Sequence, residues 1–175
     1  SYETQGNVST NAYAYPFINR NVLRKTLPYL TFLTIFNYQA VEDGEIVGSD
    51  ETEVIEIAKE YGVAPLMSIS TLNYQGVGDV EVINHILYNA EVLERHIDNI
   101  VNILREKAYY GLNITLVKLD QENMLAYVNF IARLSSRLKE EGYLLFVTFT
   151  PRIVISSNEV DFENVAYTDF SQLAD

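Results

Sequence analysis

Five short runs rich in β-branched and aromatic residues, separated by longer amphipathic stretches, constrain this chain more than any other feature. They occupy 11–17 (NAYAYPF), 29–38 (YLTFLTIFNY), 64–71 (APLMSIST), 109–119 (YYGLNITLVKL) and 143–150 (YLLFVTFT). Nearly continuous apolar runs read as strands covered on both faces, the pattern of a parallel sheet. Strands alternating with helices imply right-handed β-α-β units.

The intervening stretches carry their own punctuation. Residues 20–27 read as a short helix. Asp50 with Glu53 forms a variant capping box that opens a second helix, with Val54, Ile55, Ile57, Ala58 and Tyr61 on one face and Gly62 at its end. A third helical region spans about 80 to 107, with a break expected near Asn89. The fourth, 122–140, places Leu125, Val128, Ile131, Leu134 and Leu138 along one stripe and stops at Gly142. Asp43-Gly44 signals a turn within the loop 42–48, and 72–79 reads as a further loop. The tail, 151–175, reads as polar and looped, with one helical turn from about Phe170. This order fits either a doubly wound sheet or part of a (β/α)8 barrel. A complete barrel takes about 250 residues, and at least roughly 200. The 175 residues here therefore point to one α/β domain of about five parallel strands.

Composition excludes several classes of function. Twenty-four acidic residues against twelve basic ones give a net charge of −12, which disfavours nucleic acid and anionic membranes as partners. No apolar run reaches the roughly 18 residues of a spanning helix. With no cysteine, disulfides, thiolate metal sites and a cysteine nucleophile are excluded. His85 and His96 share the third helical region without an acidic residue in ligand spacing to both, so no metal site is expected. No G-x-G-x-x-G, P-loop, G-x-S-x-G or H-E-x-x-H pattern occurs, and no cofactor is expected. No signal peptide precedes Ser1, and the route of export stays open.

Ligands of parallel α/β proteins gather at the C-terminal ends of the strands. That edge carries Tyr15, Phe17, Phe36, Asn37, Tyr38, Ser70 and Asn113, with Thr115 and Val117 further along the fourth run. Aromatic faces beside amide and hydroxyl groups suit a sugar ring, whose C–H face is apolar and whose rim is hydroxylic. The same aromatics would equally fill a core. Asp120 and Glu122 follow the fourth run. Glu122 falls in the first turn of the next helix, where a carboxylate offsets the macrodipole.

NAYAYPF at 11–17, LTIFNY at 33–38, IAKEYGVAPLMSIST at 57–71, YYGLNI at 109–114 and ENMLAYVNF at 122–130 together resemble glycoside hydrolase family 18. The similarity is to its spore-associated branch, which acts on cortex peptidoglycan, and it runs from Asn11 to about Asp175. The resemblance implies a (β/α)8 TIM barrel with a fourth-strand pattern D-G-x-D-x-D-x-E, relaxed in the spore branch to Y-G-L-N-I-D-F-E. The final Glu is the general acid, and the preceding Asp orients the substrate's 2-acetamido group, whose oxygen attacks the anomeric carbon. Tyr110, Gly111 and Asn113 match the relaxed form. Thr115 stands at the orienting Asp position and Val117 at the acid position. Valine has no proton to give the leaving oxygen.

The resemblance implies a glycan containing N-acetylglucosamine as ligand and a spore or cell-envelope location. It also implies a single truncated domain over 1–175, since motifs of the family's sixth and eighth strands have no counterpart here. Three readings follow: an inactive domain with residual sugar binding or a structural role; a half-barrel glycosidase completed by a second copy or a complementary fragment; and a flavodoxin-like binding module with its first strand central. In an isolated half barrel, the first and fifth strands would be bare edges and the inward face would lie open to water.

Overall fold

The computed structural model describes residues 9–70, 80–117, 121–150, 155–156, 159–160 and 166–169. At 70, 80, 115–117, 121, 148–150 and beyond 150 it describes the backbone path alone. Strand β1 (Asn11–Ala14) leads through α1 (Arg20–Thr26) to β2 (Phe32–Ala40). A short β3 (Ile46–Val47) precedes α2 (Thr52–Glu60), and β4 (Ala64–Ser70) follows. Next come α3 (Val80–Tyr88), α4 (Ala90–Glu106), β5 (Gly111–Val117), α5 (Met124–Glu141) and β6 (Leu144–Thr150). The tail adds a small hairpin, β7 (Ile155–Ser156) with β8 (Glu159–Val160), and a last strand β9 (Ala166–Asp169).

The main sheet runs β1-β2-β4-β5-β6-β9, with β3 antiparallel on β2. From β1 to β6 every neighbouring pair is parallel and in chain order. The first strand lies at an edge, so neither the doubly wound order nor the flavodoxin-like module applies. Sequential parallel β/α units are the arc of a barrel, and here the barrel is not closed. The arc curls strongly. Phe32 on β2 and Phe146 on β6, with two strands between them, bring their rings to 5.3 Å at an edge-on 64°.

Each face of the arc has its own chemistry. Leu33, Ile35, Met67, Ile69, Leu112 and Val147 turn outward and join Val54, Ile97, Leu104 and Leu134 of the helices in one apolar core. Burial of such side chains contributes about 1.5–3 kcal/mol each and drives the layer together. The concave face differs from the expectation of an inward surface open to water. Thr34, Leu66, Ser68 and Asn113 are all buried, because the curl closes over them. The expected bare edge of the fifth run is also covered, since β9 pairs antiparallel with β6. Among the described residues β1 pairs only with β2.

Local signals account for most boundaries. Asn89 caps α4, accepting from the backbone N–H groups of Glu91 and Val92, and this breaks the 80–107 region. Gly62 and Gly142 end helices at φ 69° and 84°, backbone angles that favour glycine. The capping box does not form. Asp50 accepts from the Thr52 N–H at 3.0 Å, and Glu53 pairs with Arg20 at 3.1 Å. The α5 stripe is also corrected. Phe130, Leu134 and Leu138 are buried, whereas Leu125 is 84% exposed and Val128 is exposed too. Leu125 precedes Leu134 by about two and a half turns and so lies on the opposite side. Loop 72–79 and the helical turn at Phe170 lie outside the described residues. No described helix is long and apolar enough to cross a membrane.

Gly111 of β5 sits directly beside Leu144 of β6. A Cβ there would stand 2.5 Å from the Leu144 carbonyl oxygen, so any side chain must push the strands apart. Gly111→Ala is expected to lower stability by about 1–3 kcal/mol, measured by urea denaturation against the parent chain.

Candidate functional site

Parallel register assembles the concave face in rows. Tyr13, Thr34, Leu66, Gly111 and Leu144 form one row across the sheet. Phe36, Ser68, Asn113 and Phe146 form the next, toward the C-terminal ends. Further along, Thr115 pairs with Thr148 and Val117 with Thr150. The sequence thus places three threonines and a valine along this edge, with Thr115 and Val117 at the two positions where the resemblance implies carboxylates.

Asn113 is the polar anchor of this face. Its amide nitrogen donates to the Tyr13 hydroxyl and to Thr34 Oγ1, both at 3.3 Å, and Thr34 in turn donates to Asn11 Oδ1 at 3.1 Å. Three strands are joined by this buried chain. An aromatic line leads outward from it. Tyr13 stacks on Phe36 at 4.7 Å, Tyr15 tilts against Phe36 at 5.7 Å, and Phe17 stacks on Tyr15 at 5.1 Å. Tyr15 and Phe17 are exposed, at 53% and 81%. They stand on a turn closed by the Ile18 N–H to the Tyr15 carbonyl at 3.0 Å. Arg20 braces that turn, donating to the carbonyls of Pro16 and Ile18 at 2.9 Å each.

Asn37 and Tyr38 go elsewhere. The register of β2 on β4 slips between Phe36 and Tyr38. Tyr38 then pairs with Ile69 and lies in the outer core. Asn37 donates to the Ser49 carbonyl and to Glu51 Oε2, both at 2.7 Å. The Tyr109 hydroxyl also donates to Glu51 Oε2, at 2.9 Å. Glu51 Oε1 accepts no hydrogen bond, but lies 3.5 Å from Lys107 Nζ. Burial, with bonding to and charge on Glu51, raises the Tyr38 hydroxyl well above the usual phenol range. Burial first, and then the charge on Glu51, does the same to Tyr109. This cluster fixes the β2–α2 segment to the helix-covered face.

The other expected positions are quickly placed. Ser70 ends β4, and Thr115 and Val117 lie on β5, their side chains outside the described residues. Asp120 lies outside them as well. Glu122 is exposed in the turn before α5. His85 and His96 both contact the loop at 43–44. A shallow groove of about 670 Å³ lies between α4 and α5, in the helix layer. It is lined by charged groups, of which Arg133 and Glu94 pair at 2.8 Å. Sequence reasoning named Tyr15, Phe17 and Asn113 at this edge but missed Tyr13, which links them. The period-two spacing of Tyr13, Tyr15 and Phe17 was its signal.

The fold and this face define a class: an open arc of a (β/α)8 barrel whose concave side carries a buried amide and an aromatic line. No protein-family model matches the chain. It is 24% identical over 143 residues to the sporulation-specific glycosylase YdhD of Bacillus subtilis, covering 81% of this chain and 34% of that protein. The crystal structure of the Bacillus cereus spore cortex-lytic enzyme SleL superposes with a TM-score of 0.74 at 26% identity, covering 88% of this chain and 37% of SleL. The GH18 chitinase ChiB of Flavobacterium johnsoniae superposes at 0.69 with 16% identity, covering 85% of this chain and 49% of ChiB, a likeness of fold. The chain is thus a partial homologue of the sporulation-specific glycosylase and cortex-lytic proteins, with the barrel architecture of the GH18 chitinases. It spans less than half the length of each.

Glu51 supplies the acceptor that two of the named residues depend on. Glu51→Ala is expected to destabilise the fold by about 1.5–3 kcal/mol, the scale of hydrogen bonds to a charged group. Chemical denaturation followed by far-ultraviolet circular dichroism measures it. A loss under about 0.5 kcal/mol, the scale of ordinary surface changes, would mean that the cluster contributes nothing.

Proposed function

We propose that this chain binds a glycan containing N-acetylglucosamine, of the peptidoglycan or chitin type, and does not hydrolyse it. The observation that carries this reading is the pair Thr115 and Val117 on β5. Family 18 chemistry needs a carboxylic acid to protonate the leaving oxygen and a carboxylate to steady the acetamido group. Valine and threonine supply neither. Threonine can hydrogen-bond but cannot balance a developing oxazolinium charge. The binding surface is Tyr15, Phe36, Asn113 and Ser70, with a pyranose ring laid on the aromatic line and its hydroxyls toward the amide and hydroxyl groups. Asn37 and Tyr38 support it from behind, through Glu51. No cofactor enters this reading, and spore or cell-envelope association comes with it.

Isothermal titration with an N-acetylglucosamine oligomer, beside a turnover assay on the oligomer and on cortex muropeptides, tests both halves. Binding without turnover is expected. Tyr15→Ala should weaken binding about two- to tenfold, the scale of one aromatic contact. Hydrolysis that persists in Asp120→Asn and Glu122→Gln would sink the inactive reading. The double change Thr115→Asp with Val117→Glu is expected to restore no activity to this chain on its own, because its arc of strands leaves the barrel open.

A second reading has its own observation in support. On α5, Arg133 and Arg137 pair with Glu94 and Asp98 of α4. The other flank exposes Met124, Leu125 and Val128. A second copy or a complementary barrel fragment covering that flank would make a larger assembly able to complete a cleft. Light scattering at micromolar concentration tests self-association, and a strictly monomeric chain would remove the second copy from consideration.

A further inference from the structure

The segment that leaves the C-terminal end of β2 is held by side chains from the opposite side of the helix layer. The Gly44 carbonyl lies 3.0 Å from His96 Nδ1 and 3.1 Å from Asn99 Nδ2. The Asp43 carbonyl accepts from Arg95 at 3.2 Å, and its carboxylate lies 3.3 Å from His85 Nε2. Asp43 and Gly44 both adopt left-handed backbone angles, φ 59° and 76°. A Cβ on Gly44 would stand 2.8 Å from the Val92 carbonyl oxygen. The turn is therefore pressed directly against the first turns of α4, in left-handed backbone angles that an Asp-Gly pair readily adopts.

A carbonyl can only accept, so Nδ1 of His96 carries the hydrogen in this bond. The ring is 2% exposed and lies 6.0 Å from the Phe130 ring of α5. The charged groups around it are otherwise engaged. Asp43 faces His85 of α3, Arg95 points to the Asp43 carbonyl, and Arg133 of α5 pairs with Glu94. Among the described contacts no carboxylate reaches the His96 ring. Burial holds its pKa below the ordinary 6.5, with the Gly44 bond opposing.

We propose that His96 is an acid-released latch for the 42–47 segment, at the strand edge where parallel barrels bind their ligands. Neutral, it donates to Gly44 and packs on Phe130. A second proton leaves an imidazolium in an apolar site without a counter-charge, and lifting the segment rehydrates it. The sign follows from linkage. The open form binds the proton and the closed form does not, so closure is complete above pH 6.5 and weakens as pH falls below it. Between pH 7 and 5 the opening equilibrium should rise by up to about 25-fold if the closed form stays unprotonated. The His85–Asp43 contact is exposed and therefore weak.

Hydrogen exchange at pH 7 and 5, corrected for the intrinsic rate, tests the latch on the whole chain. The reporters are the amides of Val41 and Glu45, bonded to the Glu45 and Glu42 carbonyls within the segment. Their protection should fall by more than tenfold, while that of β4 and β5 amides holds. His96→Asn keeps a donor near the Nδ1 position and cannot be protonated, so it should abolish the fall. His85→Asn should leave the fall in place. Unchanged protection of the segment in the parent chain, an equal fall across the strands, or the same fall in His96→Asn would each overturn the proposal. The first two outcomes need no variant, so the test stands even if His96→Asn fails to fold.

Discussion

The close approach of β5 and β6 at Gly111 is the contact on which the concave face depends. With no side chain between Gly111 and the Leu144 backbone, the two strands pack tightly enough for the sheet to curl. The curl carries Phe146 over to Phe32 and encloses Thr34, Ser68 and Asn113. Enclosure then sets a second requirement. An amide removed from water costs several kcal/mol if unpaired, and Asn113 meets it by bonding Tyr13 and Thr34. The geometry of β5 thus positions β1 and β2 through one side chain. The aromatic line on β1 takes its place from that connection.

The opposite face holds its polar groups by a different device. Glu51 stands before α2 without capping it, and its carboxylate collects Tyr109, Asn37 and Lys107. A buried carboxylate is tolerated only with such partners. Because Asn37 is drawn outward to Glu51, β2 takes an irregular step between Phe36 and Tyr38. That step leaves Phe36 on the concave side and turns Tyr38 into the core. Two neighbouring residues therefore serve opposite faces of one sheet.

Much of the fold was legible in the sequence because it rests on local physics. Apolar runs, the Asn89 cap and the glycines at 62 and 142 act within a few residues, so strand and helix order could be read directly. Tyr15 and Asn113 were readable as edge positions for the same reason. The irregularity after Phe36 was not, because it is set by Glu51, fourteen positions away in sequence. Strict alternation would keep Tyr38 with Phe36, yet the structure separates them. The stripe on α5 failed through a related error. Spacing by threes and fours drifts around a helix, and by Leu125 it has left the buried face. Strand β9 was missed because its polar sequence gains its place only by pairing with β6.

On the reading proposed above, β5 separates what a fold needs from what a reaction needs. Asn113 bonds β1 and β2 across the concave face, so its loss would disturb the barrel wall as well as any ligand. A carboxylate taken out of water raises the free energy of a fold through desolvation, and two close together add repulsion. Catalytic carboxylates are stabilising for the transition state and destabilising for the native state. Once turnover is no longer required, threonine and valine suit a strand better, since both favour extended backbone and neither demands a counter-charge. The amide that bonds its neighbours remains, as does the glycine that lets the strands meet. On that reading, the pattern G-L-N-I-T-L-V keeps the packing of a barrel strand without its acid chemistry.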